Sequence, residues 1–114
     1  MIEECIVNYV CTHFELTRKQ LRGKSRKSHI VDARQSCALA FREIGKTYKF
    51  IANVINRKDH TTIMHLVKRR SYNWHENERI AHEAVKAYKH MALSKVTHKK
   101  INMGEFLEMV QQIN

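Results

Sequence analysis

The 114-residue sequence contains no proline and only three glycines. These residues make most of the tight turns an all-β fold needs, so their scarcity favours helices joined by short connections. Long apolar runs are missing too. No stretch approaches the roughly 18 residues that cross a bilayer, which excludes a membrane-spanning helix. The three cysteines (Cys5, Cys11, Cys37) form no C-x-x-C pair, and no two of the eight histidines have H-x₃-H spacing. Neither structural zinc nor a disulfide framework is expected, and buried, reduced thiols are. There is no G-x-x-x-x-G-K-[ST] loop to cradle a nucleotide, no paired carboxylates and no nucleophile elbow, so neither an enzyme nor a cofactor is expected. Met1-Ile2-Glu3-Glu4 places acids where a secretory signal carries bases, which points to the cytoplasm.

The 43% hydrophobic content supports one compact core. Its 21 bases and 11 acids give a net charge of +10, unevenly spread. Residues 1–17 hold no Lys or Arg and carry −3, whereas residues 18–34 and 42–70 each carry +6. Two cationic runs in one small domain suit a polyanionic partner. Neither run lies on a strongly amphipathic helix rich in Trp, Phe and Leu, so nucleic acid is favoured over a membrane surface.

Apolar spacing predicts a helix over residues 2–15, built on Ile2, Ile6, Tyr9, Val10 and Phe14. Thr17-Arg-Lys-Gln20 has capping-box spacing and opens a short helix stopping near Gly23. Residues 24–28 (Lys-Ser-Arg-Lys-Ser) lack apolar content and read as an exposed loop. Ser28 is expected to cap a long helix that buries Ile30, Ala33, Cys37, Ala38, Phe41 and Ile44 and ends at Gly45. Thr47 caps a short helix over 48–55, Asn56-Arg57-Lys58 turns, and Asp59 caps a helix from His60 to about Trp74. Further helices are predicted over about 77–93 and, capped by Asn102, to near Ile113. The expected fold is all-α, with six or seven helices. Residues 1–93 form the domain and residues 94–114 a C-terminal extension.

Two short helices joined by a three-residue turn, the second opening with polar side chains, make the pattern of a helix-turn-helix over about 47–74. The first helix is a strut. The second presents Lys58 through Thr62 outward. Lysine donates to guanine O6 and N7, threonine offers a hydroxyl and a methyl suited to thymine, and histidine donates or accepts.

The string Asn56-Arg-Lys-Asp-His-Thr-Thr-Ile-Met-His65 resembles the signature of the C-terminal DNA-binding domain of the bacterial replication initiator DnaA. In that family an Arg-Asp-His-Thr-Thr run opens the recognition helix. Upstream, Val10 to Leu21, Lys24-Ser-Arg-Lys-Ser28 and Ile30-Val-Asp-Ala-Arg-Gln35 resemble its first helix and turn, its basic loop and the start of its long helix. The likeness runs collinearly from about Ile6 to Tyr72. It implies a helical bundle of the Trp-repressor-like type and a double-stranded DNA partner at DnaA-box-like sites. It also implies a role on the nucleoid in controlling replication initiation or transcription. Arg26 matches the arginine that enters the minor groove, and Asp59, His60 and Thr61 match the major-groove base readers. Thr62 matches a phosphate contact, and Lys24, Lys27, Gln35, Arg42 and Lys68 stand at or near positions that hold the DNA backbone.

There are departures. Lys58 replaces an arginine whose bidentate fork lysine cannot reproduce, and Arg57 is a candidate to read that base instead. Asn56 and Arg57 stand where the family usually has glycines, and the connection before the strut helix is one residue short. The ATPase loop of DnaA has no counterpart in this sequence. A regulator or competitor of initiation, a small transcription factor, or a phage or mobile-element protein would suit what is left. The alternative is a sequence-tolerant DNA binder or protein adaptor that keeps the scaffold without base readout. The amphipathic stretch Met103, Phe106, Leu107, Val110, Ile113 either covers the core or pairs with a second copy or a replication protein.

Overall fold

A computed structural model of the chain describes residues 3–98. It contains α1 (Glu4–His13), α2 (Arg18–Arg22), α3 (Ser28–Glu43), α4 (Tyr48–Ile55), α5 (His60–Lys68) and α6 (Trp74–His98), with no strand among the described residues. The helix expected over residues 102–113 lies outside them, and α6 runs on to His98, past position 93 where that helix and the domain were expected to end.

Three helix ends close in the same way. Leu16 N–H donates to Cys11 O (2.8 Å), Lys46 to Phe41 O (2.9 Å) and Arg57 to Ala52 O (2.7 Å). Each closure reaches back past a residue with positive φ: Glu15 (57°), Gly45 (85°) and Asn56 (64°). Left-handed backbone favours glycine, with asparagine the next best choice, so Asn56 keeps a tight turn without one. The helix starts are equally local. Thr17 and Gln20 exchange both capping-box bonds, Thr47 Oγ1 accepts from Phe50 N–H (3.1 Å), and Asp59 Oδ1 accepts from Thr61 N–H (2.9 Å).

α3 is the central helix, packed against the other five, and α6 also lies along α1. Ile6, Val10, Leu21, Phe41, Ile51, Ile55 and Ile63 meet in one core, with Ala81, Ala84 and Val85 of α6. Small residues on the inner face of α3 (Ala33, Cys37, Ala38, Ala40) are fully buried and let its neighbours approach closely.

Two expectations are corrected. Ser28 does not cap α3; it is the first helical residue, and the Lys27 carbonyl starts the ladder by accepting from Ile30 and Val31. The helix from His60 stops at Lys68 instead of running to Trp74, and the next begins at Trp74 instead of Asn77. The cause lies on α3. Gln35 Nε2 donates to the carbonyls of Leu66 (3.0 Å) and Arg69 (2.8 Å), replacing the backbone donors that would continue α5. Its Oε1 accepts from Ser71 Oγ (2.9 Å) and Asn77 Nδ2 (2.8 Å). Asp32 accepts from Asn73 and Asn77, completing a polar cluster that fixes residues 69–73 on α3. Trp74 is buried under the guanidinium of Arg70, 4.5 Å from its ring centroid.

Candidate nucleic-acid interface

α4 buries Ile51, Ala52 and Ile55, so its outer face has little freedom to shift. α5 seats Ile63 in the core and rests Leu66 and Val67 against it. That anchoring turns the opposite face outward, and Lys58, Asp59, His60, Thr61 and Thr62 are all exposed. The Asp59 carboxyl sits below its ordinary pKa, first because the Thr61 backbone N–H donates to it and with a smaller contribution from His60 nearby. The negative cap at the start of α5 is therefore kept ionised.

The basic loop is exposed at Lys24, Arg26 and Lys27, yet its base is tightly held. Arg34, 6% exposed, points its guanidinium into the loop from beneath. Nε donates to Leu21 O (2.8 Å), Nη1 to Ser25 O, and Nη2 to Gly23 O (2.8 Å) and Gln20 O (3.3 Å). Burial, and then the like charge of Arg57, lower its pKa from a high ordinary value. A buried cation facing only carbonyls is stabilised by the dipoles it collects, which ties four peptide groups to one side chain.

Arg57 completes the tie. Its Nη2 donates to Gly23 O (3.0 Å) and its Nη1 to the carbonyls of Ile55 and Asn56 (3.3 Å each). Asn56 Nδ2 adds a long bond to Arg22 O (3.4 Å). The turn of the helix-turn-helix and the base of the loop are thus joined through one carbonyl, Gly23 O. Surface continuity agrees. Arg57, Thr62, His65, Leu66 and Arg69 line one groove. Leu66 and Arg69 also line the next, where Arg26 stands.

Most of the residues singled out from sequence come together here: Lys24, Arg26 and Lys27 in the loop, and Lys58, Asp59, His60, Thr61, Thr62 and Lys68 on α5 and its turn. Two expectations change. Arg57, a candidate base reader, turns back onto backbone carbonyls because Gly23 O and the end of α4 collect its guanidinium. Gln35, expected at the DNA backbone, is 2% exposed and its amide is committed to α5 and α6. Arg42 is exposed but lies about 21 Å along α3 from Ser28 at 1.5 Å per residue. There it stacks on Tyr48 and donates to Lys46 O (2.8 Å). Sequence reasoning missed Arg34, which looked like one more charge in a cationic run. It also missed His65 and Arg69, whose only signal was their spacing from Thr61 and Thr62 along α5.

An exposed polar first turn on a core-anchored helix, with a strut helix and a tight turn before it, defines a DNA-binding helix-turn-helix protein. The family described as bacterial DnaA protein helix-turn-helix matches residues 3–69, and the chain belongs to it. Among its relatives, the chromosomal replication initiator protein DnaA of Bacteroides fragilis is 39% identical over 64 residues, 55% of this chain and 13% of that protein. DnaA of Bacteroides thetaiotaomicron is 38% identical over 64 residues, again 55% of this chain and 14% of the relative. The chain thus spans about one seventh of the length of these curated relatives. No solved structure matches the chain.

Proposed function

We propose that this domain binds short A·T-containing duplex sites of the DnaA-box kind and acts in the control of replication initiation or of transcription. The first turn of α5 enters the major groove, where Lys58, Asp59, His60 and Thr61 face base edges. Arg26 enters the adjacent minor groove, whose narrow A·T-rich stretches carry enhanced negative potential. Lys24, Lys27, Thr62 and Lys68 hold phosphates between the two, and Arg42 reaches the backbone at the edge of the site. Arg57 and Gln35 contribute by position, one fixing the arm to the turn and the other ending α5.

The observation that carries this reading is the shared Gly23 carbonyl, which accepts from both Arg34 and Arg57. It joins the arm to the turn before any DNA is present, so the two elements need not be ordered on binding. A looser readout is favoured by one feature, the inward Arg57, which leaves Lys58 as the cation at the position of the family's arginine. Selection of bound sequences from random duplex at two salt concentrations tests both. An enriched asymmetric motif and an affinity that falls steeply with salt are expected, because neutralised phosphates release counterions. Recovery of random sequence at both concentrations would refute base readout.

A further inference from the structure

Tyr72 is fully exposed, at 102% of its reference area, although it lies between two residues that are tied down. Ser71 Oγ donates to Gln35 (2.9 Å) and Asn73 Nδ2 to Asp32 (2.9 Å). Both acceptors are on α3, and Asn77 reinforces both. The ring is therefore held out by its neighbours instead of being left out by a slack loop. It forms one wall of a groove of about 530 Å³ that also holds Arg26 and Arg69. Asp32, the only acid lining the groove among the described residues, has both carboxylate oxygens occupied by the two asparagine amides. Lys68, Arg69 and Arg70 precede the ring in sequence and are exposed. Leu66 and Arg69 connect this groove to the one lined by Thr62 and His65, so the order across the surface runs from the first turn of α5 to the Arg26 groove and Tyr72. The position lies past residue 69, where the family match stops.

We infer that Tyr72 and Arg69 form a third DNA-contacting element, which grips the duplex beyond the minor-groove arm and lengthens the site on that side. The partner is duplex DNA because an aromatic ring set among cations, opposite a minor-groove arginine, offers an apolar face to deoxyribose and donors to phosphate. The proposal rests on the DNA-binding reading above and adds a footprint that reading does not require.

The test uses the full chain and the selected site, trimmed base pair by base pair from either end. Wild-type affinity is expected to drop at a longer duplex length on the arm side than Tyr72→Ser does. On long duplex the variant is expected to bind roughly fivefold more weakly, the equivalent of about 1 kcal/mol. On the trimmed core the two are expected to match. Arg69→Gln is expected to lose the same flank dependence and about one unit of salt slope. Unchanged Trp74 emission in Tyr72→Ser shows that the fold is intact. Equal affinities of wild type and variant on every duplex would overturn the inference and leave the DNA-binding reading standing. Equal losses on long and trimmed duplexes would also overturn it, by placing the ring inside the core site. Failure of the wild type to bind any duplex would remove the underlying reading itself.

Discussion

Removing the Arg34 side chain is expected to damage the arm more than the core. Its guanidinium serves four carbonyls, of which Gly23 O retains Arg57 in Arg34→Ala. Ser25 O lies in the exposed loop and regains water, so Leu21 O at the end of α2 is the acceptor left most exposed to loss. Charge-assisted bonds of this kind contribute about 1.5–3 kcal/mol each when an acceptor is orphaned, while the desolvation of a cation facing no acid is relieved. The net cost expected for Arg34→Ala is about 2–4 kcal/mol, serious for a domain whose total is on the order of 5–15 kcal/mol, without unfolding it. Urea unfolding with linear extrapolation measures this. The second consequence is at the DNA. An arm no longer fixed from below must be ordered on binding, and fixing two residues costs about 2–3 kcal/mol, or roughly a 30- to 150-fold loss of affinity. Arg34→Lys is expected to fall between, since one ammonium cannot span four diverging carbonyls. An Arg34→Ala protein with the wild-type urea midpoint, or one that is destabilised but binds duplex undiminished, would refute the arm-fixing role.

Other perturbations separate the remaining parts. The lowered Asp59 pKa means that its cap stabilises α5 fully above the ordinary carboxylate value of 3.8 and is lost as pH falls through the lower, folded value. Asp59→Asn keeps an acceptor without the charge, so its helicity is expected to overtake that of wild type in that acidic window, as read by circular dichroism. Gln35→Ala orphans the carbonyls of Leu66 and Arg69 and is expected to cost about 2–3 kcal/mol in urea. Burial raises the thiol pKa of Cys37, and to a lesser extent that of Cys11. A thiol reagent is accordingly expected to modify the half-buried Cys5 first and Cys37 last, as followed by mass spectrometry.

The features legible in the sequence were those whose causes lie within a few residues. Thr17 with Gln20, Thr47 and Asp59 each accept from a backbone N–H two or three positions on, so residue type and spacing were enough. The exposed first turn of α5 followed from Ile63, Leu66 and Val67 lying on its other side. What could not be read depended on partners far along the chain. Gln35 ends α5 through carbonyls 31 and 34 residues away. Arg57 finds Gly23 across 34 residues. A sequence registers both as ordinary polar residues, and Arg34 as part of a surface charge, although it is turned inward. The Ser28 cap failed for a smaller reason, because the ladder starts one residue earlier at Lys27.

The most direct measurement compares Thr61→Ala with Lys24→Ala on the selected duplex and its single-base variants at two salt concentrations. Thr61→Ala is expected to lose discrimination of about 1–3 kcal/mol at one base pair while keeping the wild-type salt slope. Lys24→Ala is expected to preserve the sequence preference, weaken every duplex alike and lower the salt slope by about one. Indistinguishable behaviour of the two variants would contradict base reading by the first turn of α5.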